Sequence, residues 1–380
     1  MITEQYRIPF NRPTRTANDS DYIQAALAGG HLSGDGPFTK RCHQMLEELV
    51  GVPKALLTTS CTHALEMAAF LLDIKAGDEV IVPSFTFVST VNAFVIRGAR
   101  PVFADVRPDT LCIDERHVER LISPRTRAIV AVHYAGVACE MDALEALAAK
   151  SGAALVEDNA HGLFGSVKRR KLGTFGRLAT LSFHETKNVT CGEGGALLIS
   201  DRTLIDRAEI VREKGTDRTR FFRGQVEKYG WIDVGSSYLP SEILAAMLCA
   251  QLEDWERVQA RRRAVWCRYQ SALDDWARDR GIAVPIIPAS VAHSYHMFYL
   301  LLPSRDVRDK LVAHLRRNGI LAVSHYLPLN TSKVGLALGG RAGDCPVTER
   351  VAEQLLRLPF YTDLADEDQA AVIDALHEFR

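Results

Sequence analysis

The chain has almost no net charge: 46 lysines and arginines stand against 47 aspartates and glutamates, a balance of −1. The electrostatic footprint of a nucleic-acid binder is therefore missing. Local basic runs such as Lys168-Arg169-Arg170-Lys171 are short enough to be a solvated turn. No pair among the eight cysteines has CxxC spacing, which removes the usual zinc and redox-dithiol patterns, and no metal site is expected. No apolar run reaches membrane length, and the N-terminus has no charged-then-apolar leader pattern. These absences give the expectation of a cytoplasmic protein with reduced thiols and no nucleic-acid or membrane partner. Internal repeats and low-complexity segments are also missing. There is no GxxxxGK(S/T) loop and no GxGxxG after the first strand, which disfavours a nucleoside triphosphatase and a nicotinamide-dependent sugar oxidoreductase.

What is present is a 380-residue chain that is 47% hydrophobic and 24% charged, enough for a large core and a second, smaller domain. From about residue 55, short apolar runs alternate with amphipathic ones. Strand candidates include 79–82, 101–104, 128–132, 154–156, 180–183 and 196–199, with helix patterns such as 64–72, 88–97 and 141–150 between them. Continuous apolar strands separated by helices predict a mostly parallel α/β sheet covered on both faces. A polar-aromatic segment, 214–238, is too aromatic for a linker, and a loop of that length is usually functional or an interface. A helix is expected over 241–270. After Pro285 and Pro288 the pattern predicts a strand at 293–302, a helix at 305–318, a strand at 321–326 and a terminal helix at 366–379. This reads as a small α+β domain. The division expected is an N-terminal arm packed on the main domain (1–30), a large domain (31–255) and a small C-terminal domain (256–380).

In an open parallel sheet, ligands gather at the carboxyl ends of the strands. Lys187 follows the apolar run 179–183 and precedes a glycine-rich turn. Shielded from water, its amine would become neutral and nucleophilic toward carbonyls; exposed, it is an ordinary surface lysine. Asp158 ends the run Ala154-Leu155-Val156-Glu157-Asp158 and can either hold a protonated ring nitrogen or cap a following helix. Thr58-Thr59-Ser60-Cys61-Thr62-His63 leads into a helix, which makes it either a phosphate turn or a plain N-cap. Phe85 and Phe87 alternate, so one of them can face the cleft and stack on a planar ring; the other reading is core packing. Together, a lone lysine, a strand-end aspartate, a phosphate turn and a stacking aromatic are what pyridoxal 5′-phosphate (PLP) requires.

At these residues the chain resembles the DegT/DnrJ/StrS-type sugar-nucleotide aminotransferases, which are fold-type I PLP enzymes. Within them it is most similar to the TDP-4-keto-6-deoxyglucose 4-aminotransferases. The likeness runs from Ile8-Pro9-Phe10-Asn11 to Leu356-Arg357-Leu358-Pro359. It is carried by Gly34-Asp35-Gly36, Ser60-Cys61-Thr62, the segment from Pro83 to Thr90, Val132-His133-Tyr134-Ala135-Gly136, Glu157-Asp158 and the segment from Ser182 to Asn188. Phe221-Phe222-Arg223-Gly224-Gln225-Val226 and Lys228-Tyr229 resemble the 4-aminotransferase subgroup.

The resemblance implies a large domain with a seven-stranded, mostly parallel sheet between helices. It implies a homodimer with shared active sites, and ping-pong transfer from glutamate, by way of pyridoxamine phosphate, to C4 of a TDP-keto-sugar. Lys187 is then the imine-forming lysine and proton shuttle, Asp158 the partner of the ring nitrogen, and Phe87 the stacking ring. Ser60, Cys61, Thr62 and Ser182 hold the phosphate. Ser237, from the partner subunit, stands where the family has asparagine, and His161 where it has glutamine beside the phenolic oxygen. His63 replaces a small residue and is expected to point to solvent. His325 and Tyr326 are candidates for contacting the sugar, with His184 beside them, and Lys214 and Arg223 for the diphosphate, although ordinary surface charge explains the last two equally. Other activities weighed are a PLP-dependent dehydratase or deoxygenase, which carries histidine in place of the lysine, amination at C3, and a PLP-binding regulator without turnover.

Overall fold

A computed structural model describes residues 6–379. The first five residues of the expected arm, and residue 380, lie outside the described residues. The large sheet is built from β1 (Lys54–Thr58), β2 (Glu79–Pro83), β3 (Arg100–Ala104), β4 (Thr126–Val132), β5 (Ala154–Asp158), β6 (Leu178–Ser182) and β7 (Gly195–Ile199). Their spatial order is β1-β7-β6-β5-β4-β2-β3. Only β7 pairs antiparallel with its neighbours; the pairs β6-β5, β5-β4, β4-β2 and β2-β3 are parallel. Side chains alternate strictly between the faces. Val80, Val82, Ala128 and Val130 enter one core, and Ile81, Ile129 and Ala131 enter the other. Both faces are covered, so the strands read as unbroken apolar runs.

Two glycines are dictated by close approach. A Cβ on Gly36 would lie 2.5 Å from the Glu242 carboxyl carbon. That carboxylate is buried and accepts from the N–H groups of Gly36, Phe38 and Thr39 at 3.1, 2.8 and 3.1 Å, closing the start of helix Pro37–Val50. A Cβ on Gly195 would lie 2.3 Å from the Ser60 carbonyl carbon, so β7 and the turn after β1 touch backbone to backbone.

The C-terminal part has its own core, formed by helices Trp255–Asp279, Arg305–Arg317 and Asp366–Glu378 with the pair β8 (Tyr299–Leu301) and β9 (Leu355–Arg357). Several expectations shift here. The helix expected over 241–270 is two, Glu242–Glu253 and Trp255–Asp279, broken at Asp254. The first is buried nearly all round and the second only along one face, so no single straight helix serves both. The strands expected over 293–302 and 321–326 shrink to β8 and a single bridge between Val323 and Arg357. Outside those pairs the chain bends to deliver His296, His325 and Tyr326 into the cleft described below. The N-terminal arm also divides its contacts: Ile8 enters the C-terminal core and bridges Ile320, while helix Asp19–Ala28 packs on Glu242–Glu253.

Glu157, on β5, faces away from the cleft. It accepts from the N–H groups of Gly173, Phe175 and Gly176 at 2.7, 2.7 and 2.8 Å and meets His133 Nε2 at 3.0 Å. This buried carboxylate ties the loop before β6 to the strand that carries Asp158. Glu157→Gln replaces one acceptor oxygen with a donor facing N–H groups. It is expected to cost about 2–4 kcal/mol of stability. The check is the urea-unfolding midpoint, and an unchanged midpoint would show that the loop does not depend on this carboxylate.

Candidate active site

The carboxyl ends of the parallel strands open onto one cavity of about 670 Å³. Ser60, Cys61 and Thr62 follow β1. Thr86, Phe87 and Thr90 follow β2, Asp158 closes β5, and Ser182 closes β6. Lys187 lies in the loop between β6 and β7. His296, His325, Tyr326 and Arg357 complete the wall from the C-terminal part.

The Lys187 loop is pinned on both sides. Thr190 Oγ1 donates to the Phe183 carbonyl at 2.9 Å, and Lys187 N–H donates to the His184 carbonyl at 2.9 Å. Asn188 Nδ2 donates to the Ser294 carbonyl at 2.7 Å, and Asn188 Oδ1 meets His296 Nδ1 at 2.9 Å. The side chain projects into the cavity with protein around it. Burial lowers its pKa from 10.5 to about 8, and the Arg357 charge adds to the effect. It is not an ordinary surface lysine.

Asp158 is buried, and burial raises its pKa against the opposing pull of its hydrogen bonds. Thr90 Oγ1 donates to Oδ2 at 2.7 Å and Ala160 N–H donates to Oδ1 at 3.3 Å. Turns follow Asp158, not a helix, so the N-cap reading falls. Asp158 and Lys187 feel each other's charge, yet among the described residues they form no ion pair within 4.0 Å. Asp158 is held by Thr90 and Ala160, whereas the Lys187 amine has no hydrogen-bond or ion-pair partner among the described residues, and a gap remains between them.

Ser60 does cap helix Cys61–Leu71, its hydroxyl accepting from His63 N–H at 3.1 Å. The capping and phosphate readings are compatible, because the N–H groups of Cys61 and Thr62 have no acceptor among the described residues. A helix start with two free donors at a cavity wall is an anion site. Phe87 is 57% exposed although it lines the cavity, whereas Phe85 is in the core at 1%. Phe87 is thus the aromatic with a free face.

His161 stacks on His296 with ring centroids 4.2 Å apart, and its Nδ1 is buried with no partner. Burial drives both imidazoles well below their usual pKa, so both are neutral. The free donors at Cys61 and Thr62, the orphaned imidazole nitrogen, the exposed Phe87 face and the Asp158–Lys187 gap fit a phosphorylated pyridine aldehyde.

Of the other expected residues, His184, His325 and Tyr326 line the cavity. His325 stacks on Tyr326 at 4.0 Å. Ser237, Lys214 and Arg223 do not line the cavity of their own chain. Ser237 bridges Glu213, Lys214 Nζ pairs with Glu213 at 3.1 Å, and Arg223 makes a two-pronged pair with Glu209 at 2.8 and 2.7 Å. His63 packs edge-on against Tyr238 rather than pointing to solvent. Sequence reasoning passed over Thr90, His296 and Arg357. Thr90 ends a segment already singled out, and the signal for Arg357 was a charge inside the apolar run Leu355-Leu356-Arg357-Leu358.

Comparison with solved structures gives the same picture over nearly the whole chain. TlmJ, an aminotransferase from Streptoalloteichus hindustanus, is 31% identical, with 97% of this chain and 98% of that one covered and a TM-score of 0.88. DesV from S. venezuelae is 30% identical over 98% of both chains, with a TM-score of 0.88. Spr1654 from Streptococcus pneumoniae is 26% identical over 98% of both chains, with TM-scores of 0.91 in its PMP form and 0.90 in its PLP form. The DegT/DnrJ/EryC1/StrS aminotransferase family matches residues 13–377. The chain therefore belongs to that family and is a PLP-dependent sugar aminotransferase.

Proposed function

We propose that the chain moves an amino group from L-glutamate to C4 of TDP-4-keto-6-deoxy-D-glucose, giving a TDP-4-amino-4,6-dideoxyhexose. The observation that carries the chemistry is the gap between Lys187, whose pKa burial lowers to about 8, and a buried Asp158 beside a helix start with two free N–H donors. The choice of sugar and of C4 is supported by the likeness of residues 221–229 to the 4-aminotransferase subgroup. His325 and Tyr326, on the wall opposite the sheet, are the sugar contacts in this reading.

The bound cofactor supplies an aldehyde and an electron-withdrawing ring. Asp158 keeps the ring nitrogen protonated, with Thr90 and Ala160 fixing its direction. Phe87 covers one face of the ring. Ser60, Cys61, Thr62 and Ser182 hold the phosphate, and His161 donates to the phenolic oxygen. Lys187 takes a proton from the donor Cα in the first half-reaction and delivers one to sugar C4 in the second. Burial enlarges the neutral fraction of Lys187, and the neutral amine is the form able to accept that first proton.

The second subunit in this reading covers the 214–238 segment, where Phe222 and Trp231 are 71% and 79% exposed. Soluble monomers rarely leave such aromatics bare in one segment. Ser237, Lys214 and Arg223 then serve the partner's cavity, which accounts for their distance from their own. Sedimentation of the purified protein is expected to give a dimer of the 42.1 kDa chain; a monomer at micromolar concentration would remove these three residues from the site.

Lys187 generates a prediction of its own. At pH 7 an amine with a pKa of about 8 is roughly one-tenth neutral, against less than about a thousandth for an ordinary lysine. Cofactor uptake by the cofactor-free protein is expected to rise with pH, with its midpoint near pH 8, and to level off by about pH 9. Lys187→Ala is expected to bind the cofactor without sustaining repeated turnovers. A rise continuing to pH 10, or repeated turnover by the variant, would contradict the assignment.

For the sugar, incubation with glutamate and TDP-4-keto-6-deoxyglucose is expected to yield a product whose new C–N bond is at C4 by NMR. The coupling of the C4 proton, large or small, then reports an equatorial or axial amine. Amination at C3, or none, sinks the substrate assignment and leaves the cofactor chemistry standing.

A further inference from the structure

We propose that Arg357 binds the carboxylate of the amino donor and so selects an α-amino acid for the first half-reaction; this rests on the aminotransferase reading with a glutamate-like donor. Four charged side chains line the cavity: Lys187, Arg357, Asp158 and Glu193. Asp158 is committed to Thr90 and the ring nitrogen, and Lys187 to carbonyl and proton chemistry. Glu193 has a 68% exposed side chain, with His184 3.7 Å away. Arg357 alone has no assignment.

Its surroundings are unusual for a cation. It ends β9 and is only 8% exposed. No carboxylate lies within 4.0 Å of it among the described residues. Its Nε is buried without an acceptor, Nη1 meets only the His325 ring, and the guanidinium lies 4.5 Å over the Phe10 ring. A guanidinium is built for two-pronged carboxylate binding, and leaving one buried and unmatched is costly.

Arg262 provides the contrast. It too is buried without a carboxylate, but it donates to the carbonyls of Tyr295 and His296 at 3.1 and 2.7 Å and to Thr362 Oγ1 at 3.4 Å, and it does not line the cavity. Arg262 is satisfied by the fold, whereas Arg357 is left facing the cleft with donors free. His161, His296 and His325 cannot take over the role, because burial and the neighbouring cations hold them neutral. The cofactor phosphate has its own donors at the start of helix Cys61–Leu71.

The test separates the half-reactions. PLP-loaded wild type, Arg357→Gln and Arg357→Lys are mixed with L-glutamate, and the loss of yellow absorbance is followed. The half-saturating glutamate concentration is expected to rise about 10- to 100-fold in Arg357→Gln, with partial recovery in Arg357→Lys. Spectral titration with maleate, an unreactive dicarboxylate, should show the same order of affinity loss. The PMP-loaded variants, mixed with the keto sugar, should keep half-saturation within about threefold of wild type; this is also the control for folding. Equal losses in both half-reactions, a loss confined to the sugar, or unchanged glutamate and maleate binding would overturn the proposal. So would a wild type that accepts a carboxylate-free amine as readily as an α-amino acid. Glutamate reaction without transfer to the keto sugar would sink the sugar assignment alone, leaving Arg357 as the donor's contact.

Discussion

The site depends on keeping one amine and one carboxylate out of water without letting them neutralise each other. Lys187 and Asp158 share a low-dielectric cleft, and a direct ion pair would be their default. The fold prevents it by giving the carboxylate other partners and by anchoring the loop that carries the amine. Asp158 is turned toward Thr90 and the Ala160 N–H. The Lys187 loop is tied down through Asn188 and Thr190. The gap that results is where a ring can sit between a proton acceptor at one end and an amine at the other. Burial then acts in opposite directions on the two groups, raising the carboxyl pKa and lowering that of the amine. Both shifts come from the same exclusion of water.

That arrangement is bought by sheet topology. Parallel strands end on one edge, so residues far apart in sequence, from Ser60 to Ser182, arrive together. The single antiparallel strand, β7, returns the chain from the Lys187 loop across the turn after β1. Contact there is close enough that Gly195 tolerates no side chain. The loop bearing the lysine and the turn bearing the free N–H donors are thereby locked in register. Behind the sheet edge, Glu157 does for the β5–β6 connection what Gly195 does for β7: it fixes a loop to the strand that carries a functional residue.

Much of this was legible in the sequence because the relevant signals are local. Strand-end residues follow apolar runs, a hydroxyl-rich turn precedes an amphipathic helix, and Lys187 stands alone between two such runs. The C-terminal part was harder to read. Its strands are short and pair across long separations, Tyr299–Leu301 with Leu355–Arg357, so alternation over a few residues could not mark their limits. The break at Asp254 carries neither proline nor glycine; it follows from a change in which helix faces are buried, a tertiary fact. Residues 321–326 looked like a strand because they are apolar, but they make only one bridge before bending into the cleft. Arg357 was missed for a related reason. Only the three-dimensional surroundings show that its charge has no counterion among the described residues.

The proposed reaction brings two unlike substrates to one place, a charged amino acid and a keto sugar whose reacting part is neutral. The cleft wall formed by the C-terminal part suits that demand. His325 and Tyr326 stack as a flat, uncharged surface, with the tyrosine hydroxyl held protonated by burial up to a pKa of about 12 and the histidine held neutral. Arg357 lines the cleft beside them and touches the His325 ring. A neutral imidazole in that position can accept from the guanidinium when no carboxylate is present and release it when one arrives. In the proposed reading charge selection rests on Arg357, and histidine is suited to the place beside it because it can accept a hydrogen bond from arginine without adding a second positive charge.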